Sequence, residues 1–187
     1  MNLILLGAPG CGKGTQGELL AARTGIVRVS TGDLLRDAVG KGAPLGQRAK
    51  SYMDQGLLVP DDVIIGLLRE VLGSPAAARG VIMDGFPRTI AQAEAVDALL
   101  TERGGAVDAV LLFDVPDDEL RRRILVRASQ MGRTDDNVEA LQQRLTVYRE
   151  QTQPLVDFYR GRGILVTIDA VGSIPEIAER VRTGLGA

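Results

Sequence analysis

Histidine and tryptophan are both absent from the 187 residues, and cysteine occurs once. Without imidazole there is no histidine base, proton shuttle or metal ligand. A lone cysteine, Cys11, excludes an internal disulfide and any multi-cysteine zinc site. Three tyrosines and three phenylalanines leave little aromatic surface for stacking along a nucleic-acid strand. The net charge of −2 supplies no broad basic field for a polyanion. No apolar run approaches the roughly 18 residues of a membrane span, and no charged leader precedes the first apolar segment. These absences lead us to expect a soluble, cytoplasmic protein with neither nucleic acid nor membrane as partner. Lysine is scarce too: Lys13, Lys41 and Lys50 stand against 19 arginines. Arginine grips phosphate bidentately, so where the arginines fall carries information.

What is present is an alternation. Five short apolar runs read as strands: Asn2–Leu6, Val27–Ser30, Val81–Asp84, Ala109–Asp114 and Ile164–Ile168. Three of them are nearly continuous apolar segments, as expected for strands covered on both faces. Helical patterns lie between them, near 14–23, 32–39, 44–55, 61–72, 90–103, 117–130, 136–160 and 174–184. The pattern predicts an α/β fold with a five-stranded parallel sheet between two helical layers. Ligands of such sheets bind at the carboxyl ends of the strands. The length suits one unit with a sizeable core. The connection between the second and third strands is too long for a simple crossover. Residues 31–60, broken by Gly40, Gly42, Pro44, Gly46, Gly56 and Pro60, predict a small helical insertion able to close over a second ligand.

The most informative stretch is Gly7-Ala8-Pro9-Gly10-Cys11-Gly12-Lys13-Gly14-Thr15, between the first strand and a helix. Its backbone N–H groups and the helix N-terminus make an anion cradle, and Lys13 can reach the β- and γ-phosphates of a nucleotide. A general phosphate loop places Ser or Thr directly after the lysine. Here Gly14 holds that place and the hydroxyl follows on Thr15. Cys11, beside helix N-terminal N–H groups, is either small-residue filler or a thiol activated toward alkylation.

Two further blocks accompany the loop. Ser30-Thr31-Gly32-Asp33-Leu34-Leu35-Arg36 opens the insertion, with Thr31 a candidate helix cap and Arg36 able to face an anion. Asp84-Gly85-Phe86-Pro87-Arg88 closes the third strand. An acid there commonly holds magnesium through water, Gly85 admits a ligand to the backbone, and Arg88 offers a planar cation.

With GAPGCGKGTQ at 7–16, STGDLLR at 30–36, DGFPRTIAQA at 84–93, RILVR at 123–127 and GRTDD at 132–136, the chain resembles the adenylate kinases along essentially its whole length. Arg144 and Asp169-Ala170-Val171-Gly172-Ser173 complete the set. The resemblance implies a phosphotransferase moving the γ-phosphoryl group of Mg-ATP to AMP, giving two ADP, in a monomer. It implies ATP on Gly10, Cys11, Gly12, Lys13, Gly14, Thr15, Arg123, Arg127 and Gly172. AMP would lie on Thr31, Arg36, Met53, Leu57, Leu58, Val59, Gly85, Arg88 and Gln92, with Arg133 and Arg144. The implied catalytic set is Lys13, Arg88, Arg123, Arg133 and Arg144, with Mg²⁺ held through water near Thr15 and Asp84. Arg121, Arg160 and Arg162 read instead as solvated surface charges. The implied division is a core of 1–30, 61–125 and 137–187, the AMP-binding insertion 31–60, and a short lid loop 126–136. That loop has no room for the zinc-bearing lid of longer relatives, and water exclusion would rest on Arg133, Asp135 and Asp136.

Two other readings remain open from sequence. Kinases of this group specific for UMP and CMP tend to carry Ala where Thr31 stands and Asn where Thr89 stands, which disfavours them. A nucleotide-binding switch that hydrolyses slowly accounts for the loop but leaves the Asp84–Arg88 block and the arginines unexplained.

Overall fold

The computed structural model of the chain describes residues 1–130 and 138–186, apart from the side chains of residues 45, 125, 127–130 and 138. Five strands, β1 (Leu3–Leu6), β2 (Val27–Ser30), β3 (Val81–Asp84), β4 (Ala109–Asp114) and β5 (Leu165–Asp169), form one sheet in the order β2-β3-β1-β4-β5. Every pairing is parallel. The strands expected from apolar runs are therefore present, the first beginning one residue later and the last displaced by one residue.

Because side chains alternate across a strand, β1 feeds two cores. Ile4 and Leu6, with Val81 and Met83 of β3, pack on one face against α2 (Thr31–Gly40), α3 (Pro44–Asp54), α4 (Asp61–Gly73), α5 (Ile90–Thr101) and α8 (Pro154–Gly161). Leu3 and Leu5, with Ile82, pack on the other against α1 (Lys13–Thr24), α6 (Asp117–Gln130) and α9 (Ile174–Gly184). All four β1 side chains are buried, which explains a strand with no polar alternation. No described helix is long and apolar enough to cross a membrane.

The helix expected over 136–160 is divided. Within the described residues, α7 (Val138–Val147) runs into a wide π turn, Tyr148–Thr152, before α8. Pro154 is the physical cause: it has no N–H to donate, and its ring crowds the preceding turn. The wider turn satisfies the backbone differently, with the Gln153 N–H donating to the Tyr148 carbonyl at 2.8 Å.

The parallel register sets the site. Leu5 pairs with Asp84, and Ser30 pairs with Asp84 from the other side. The loop after β1, the start of α2 and the end of β3 thus meet at one carboxyl edge of the sheet.

Candidate active site

A cleft of about 480 Å³ opens along that edge. Gly10, Gly12, Lys13, Gly14 and Thr15 line one part of it; Thr31, Arg36, Gly85, Arg88 and Gln92 line another. Met53, Leu57, Leu58 and Val59 add an apolar wall, and Arg123 and Arg144 enter from α6 and α7.

The loop owes its shape to glycine. Gly10 and Gly12 have φ of 87° and 95°, a region costly for any side chain. Gly12 ends the loop and Lys13 opens α1, so the helix N-terminus points at the cradle. The ammonium of Lys13 folds back over it, donating to the carbonyls of Gly7 and Ala8 at 3.2 and 3.4 Å. Cys11 is 1% exposed and belongs to the core cluster with Leu111 and Phe113. Its N–H donates to the Ala8 carbonyl, and a Cβ on Gly7 would fall 2.7 Å from its Sγ. Burial hides the thiol from reagents, so the filler role fits and ready alkylation does not.

Asp84 is 6% exposed and engaged at Oδ2 by Arg28 Nη2, 2.5 Å away. Arg28, on β2, also approaches Glu18 and Asp33, each at 3.4 Å. A Cβ at Gly14 would lie 3.3 Å from Arg28 Nη2 and 3.6 Å from Asp84 Oδ2. A Ser or Thr following the lysine would therefore press against this ion pair, most closely at the Arg28 guanidinium. Sequence reading missed Arg28; its one signal was a charge between two valines in a buried-strand pattern.

Arg88 stands at the centre of a cationic group. Burial is the largest influence lowering its guanidinium pKa; Arg144 and Arg36 add to the effect, and Asp84 opposes it. Its Nε donates to the Gly85 carbonyl at 2.8 Å, and its own carbonyl accepts from the Thr152 hydroxyl at 2.9 Å. Thr152, another residue not anticipated, is turned toward the cleft by the π turn. Arg36 is steadied by Asp33 at 2.5 Å. Three guanidiniums converging on one cleft supply the planar donor forks that grip phosphate, so the arrangement suits a phosphate ligand.

Thr31 does not cap α2. Ser30 does, accepting from the Asp33 N–H at 3.2 Å, while the buried Thr31 hydroxyl donates to the Gly85 carbonyl at 3.1 Å. That bond ties the insertion to the end of β3. Thr89 caps α5 in the same manner, accepting from the Gln92 N–H. The Gln92 amide is bonded on both sides: Oε1 accepts from the Arg88 N–H at 2.7 Å and Nε2 donates to Asp61 Oδ1 at 2.5 Å.

Arg123 is held on the far side by Glu119 at 2.7 Å and donates to the carbonyls of Cys11 and Ala170. Gly172, with φ of 133°, lies in the turn that follows Ala170, beside exposed Val171 and Ile174. Arg162 is not a loose surface charge: it pairs with Asp97 and lies 4.0 Å over the Phe158 ring, tying α8 to α5. Arg160 pairs with Asp157 on its own helix. The Arg127 side chain, Arg133, Asp135, Asp136 and most of the lid loop expected at 126–136 lie outside the described residues.

For a magnesium ion the residues present fit. Asp84 and Thr15 both line the cleft and supply hard oxygen donors. Arg28 engages Oδ2 of Asp84, and Oδ1 remains for a water-mediated contact. No group of three metal-ligating acidic, histidine or cysteine side chains occurs among the described residues. Phosphate oxygens and water would complete the shell, as is usual for this cation.

Comparison with known proteins agrees with this geometry. The family model described as adenylate kinase matches residues 5–164. An adenylate kinase of Thermus thermophilus is 52% identical over 98% of this chain and 96% of its own length. One from Stenotrophomonas maltophilia is 48% identical over the full length of both. Another, from Thermobifida fusca, is 48% identical over 99% of this chain and 98% of its own. Loop, sheet order, arginine cluster and full-length similarity converge, and the chain belongs to the adenylate kinase family.

Proposed function

We propose that the cleft holds ATP on the Gly10–Thr15 loop and AMP beside Arg88, and moves the terminal phosphoryl group reversibly between them. The observation that carries this reading is the convergence of Arg36, Arg88 and Arg144 opposite a phosphate loop within one cleft. A single-nucleotide switch has no use for that second cationic group.

Phosphoryl transfer asks little covalent chemistry of the protein, and alignment with charge neutralisation does most of the work. An oxygen of the AMP phosphate attacks the γ-phosphorus of ATP in line. The bond from that phosphorus to the β–γ bridging oxygen breaks, leaving ADP on each side. The attacking oxygen is already anionic, so the absence of histidine is no handicap. Lys13 draws charge from the β- and γ-phosphates, Arg88 and Arg144 grip the moving group, and Arg36 holds the acceptor phosphate. Thr15 and Asp84 would hold the magnesium through water; when bound, the cation neutralises phosphate charge.

Arg123 reaches the loop from α6, and exposed Val171 and Ile174 beside Gly172 offer an apolar rest for the donor base. Met53, Leu57 and Val59 offer the same to the acceptor base, with Gln92 facing its polar edge. Residues 31–60 act as the acceptor-holding insertion, closing with the lid loop 126–136, Arg127 and Arg133 to keep water from the γ-phosphate. Thr31 and Thr89 favour AMP over UMP or CMP. The protein works as a cytoplasmic monomer. ATP labelled in the γ-phosphate tests the reading: label should appear in ADP when AMP is added, and its release only as inorganic phosphate would overturn it.

A further inference from the structure

Gln92 is 2% exposed and its amide has no rotational freedom left. The Arg88 backbone N–H can only donate, which fixes Oε1 on its side at 2.7 Å. The Asp61 carboxylate can only accept, which fixes Nε2 on the other at 2.5 Å. Asp61 is itself anchored as the first residue of α4, where the helix N-terminus favours a negative charge. An amide has two N–H donors and two carbonyl lone pairs. One of each is consumed by these partners, so one N–H and one lone pair remain, in a fixed order.

That order matters because purines differ in it. Adenine presents an acceptor at N1 and a donor at its 6-amino group. Hypoxanthine and guanine present a donor at N1 and an acceptor at O6. A freely turning glutamine amide reads either base equally well after a half rotation. A locked amide reads one. We propose that Asp61 is a positioning residue for base specificity: it holds the Gln92 amide in the orientation that matches adenine and prevents the flip that would match a 6-oxopurine. The proposal rests on Gln92 facing the acceptor base, as above.

Turning the amide in the native protein sets carbonyl oxygen against carboxylate and N–H against N–H, losing both bonds at once. In Asp61→Asn the side chain can offer either group, and only the Arg88 contact then resists the flip. Losing one charge-assisted hydrogen bond from the lock corresponds to about a tenfold or larger change in discrimination.

The test compares kcat/KM for AMP and for IMP in the native protein, Asp61→Asn and Gln92→Ala, with Mg-ATP as donor. The expected result is an IMP-to-AMP ratio raised about tenfold in Asp61→Asn, with KM for ATP unmoved. A merely structural loss would lower both rates together and leave the ratio alone. Asp61→Ala, read the same way, serves if the asparagine variant does not accumulate. An unchanged ratio in the Asp61 variants, with discrimination lost in Gln92→Ala, overturns the lock and leaves base reading by Gln92 standing. An unchanged ratio in Gln92→Ala overturns the base reading itself, and the lock with it.

Discussion

Arg28 Nη2 lies 2.5 Å from Asp84 Oδ2, joining β2 to β3 beneath the phosphate loop. Both side chains are largely shielded from water, at 15% and 8% exposure. Arg28 has two further carboxylates in reach, Glu18 and Asp33, whereas the pair anchors Asp84 at the cleft. The two partners are therefore unequal in what their loss would do.

Arg28→Met should destabilise the fold by about 3 kcal/mol, because it strands a buried carboxylate. Asp84→Asn should lower stability less, since Arg28 keeps its other partners, yet reduce magnesium-dependent turnover severely. Urea unfolding of both variants beside steady-state rates separates the two effects. Equal destabilisation would contradict the asymmetry.

Lys13 and Arg88 are both expected to act on the moving phosphoryl group rather than on folding. Lys13→Met and Arg88→Lys should each lower kcat on the order of 10²–10³-fold, a loss typical of removing a preorganised charge contact. Lysine does not rescue Arg88, because a compact ammonium cannot replace a planar fork. Arg88→Lys keeps the positive charge beside Arg144 and Arg36 and loses the Nε bond to the Gly85 carbonyl, so stability should fall slightly, by far less than turnover. Turnover retained within threefold of native would contradict the assignment.

Glu119 braces Arg123 from the same helix, and its carboxyl pKa falls to about 2, through Arg122 first and then Arg123. A carboxyl depressed this way contributes its interaction fully above its ordinary 4.5, and the contribution disappears as pH falls toward 2. The Glu119 resonance should titrate near pH 2 by NMR and move upward in Arg122→Ala. Glu119→Gln should raise KM for ATP severalfold and leave KM for AMP alone. A change confined to AMP would contradict the placing of Arg123 with the donor.

Two phenols, half-buried Tyr148 and buried Tyr159, make the fold sensitive to alkali. Tyr148 is pushed up to about 12, by burial first and then by Cys11 and Asp114; Tyr159 is raised further, again by burial first and then by Asp97. Each keeps its proton in the native state above the ordinary value of 10 and loses it there when unfolded. Their contribution to stability is thus complete below pH 10 and declines as pH rises toward 12. The Tyr159 hydroxyl is buried and has no hydrogen-bond partner among the described residues. Tyr159→Phe should therefore stabilise the protein by about 1 kcal/mol and flatten the alkaline decline. Urea midpoints between pH 8 and roughly 11.5 give both quantities; a destabilised Phe variant would contradict the account.

Much of this was legible before the fold was seen, and what was not shares one character. Strands such as Leu3–Leu6 announce themselves by continuous apolar residues, and the loop by glycines around Lys13, because both are local. The helix expected over 136–160 departs at a local feature as well: Pro154 forbids one hydrogen bond, and the chain answers with a π turn. Arg28 with Asp84, Thr152 with Arg88, and Asp61 with Gln92 are different. Their partners lie 56, 64 and 31 residues apart, and only the strand order and the turn bring them together. Thr31 illustrates the same limit: as a candidate cap it read correctly for its residue type, yet Ser30 does the capping and Thr31 bonds to Gly85.

The most direct test is an acceptor panel: purified protein with Mg-ATP and, in separate reactions, AMP, UMP, CMP and GMP, with ADP formation followed by coupled assay. The account predicts rapid ADP formation with AMP alone, lost in Lys13→Met and Arg88→Lys. A preference for UMP or CMP, or ATP hydrolysis indifferent to any acceptor, would contradict it.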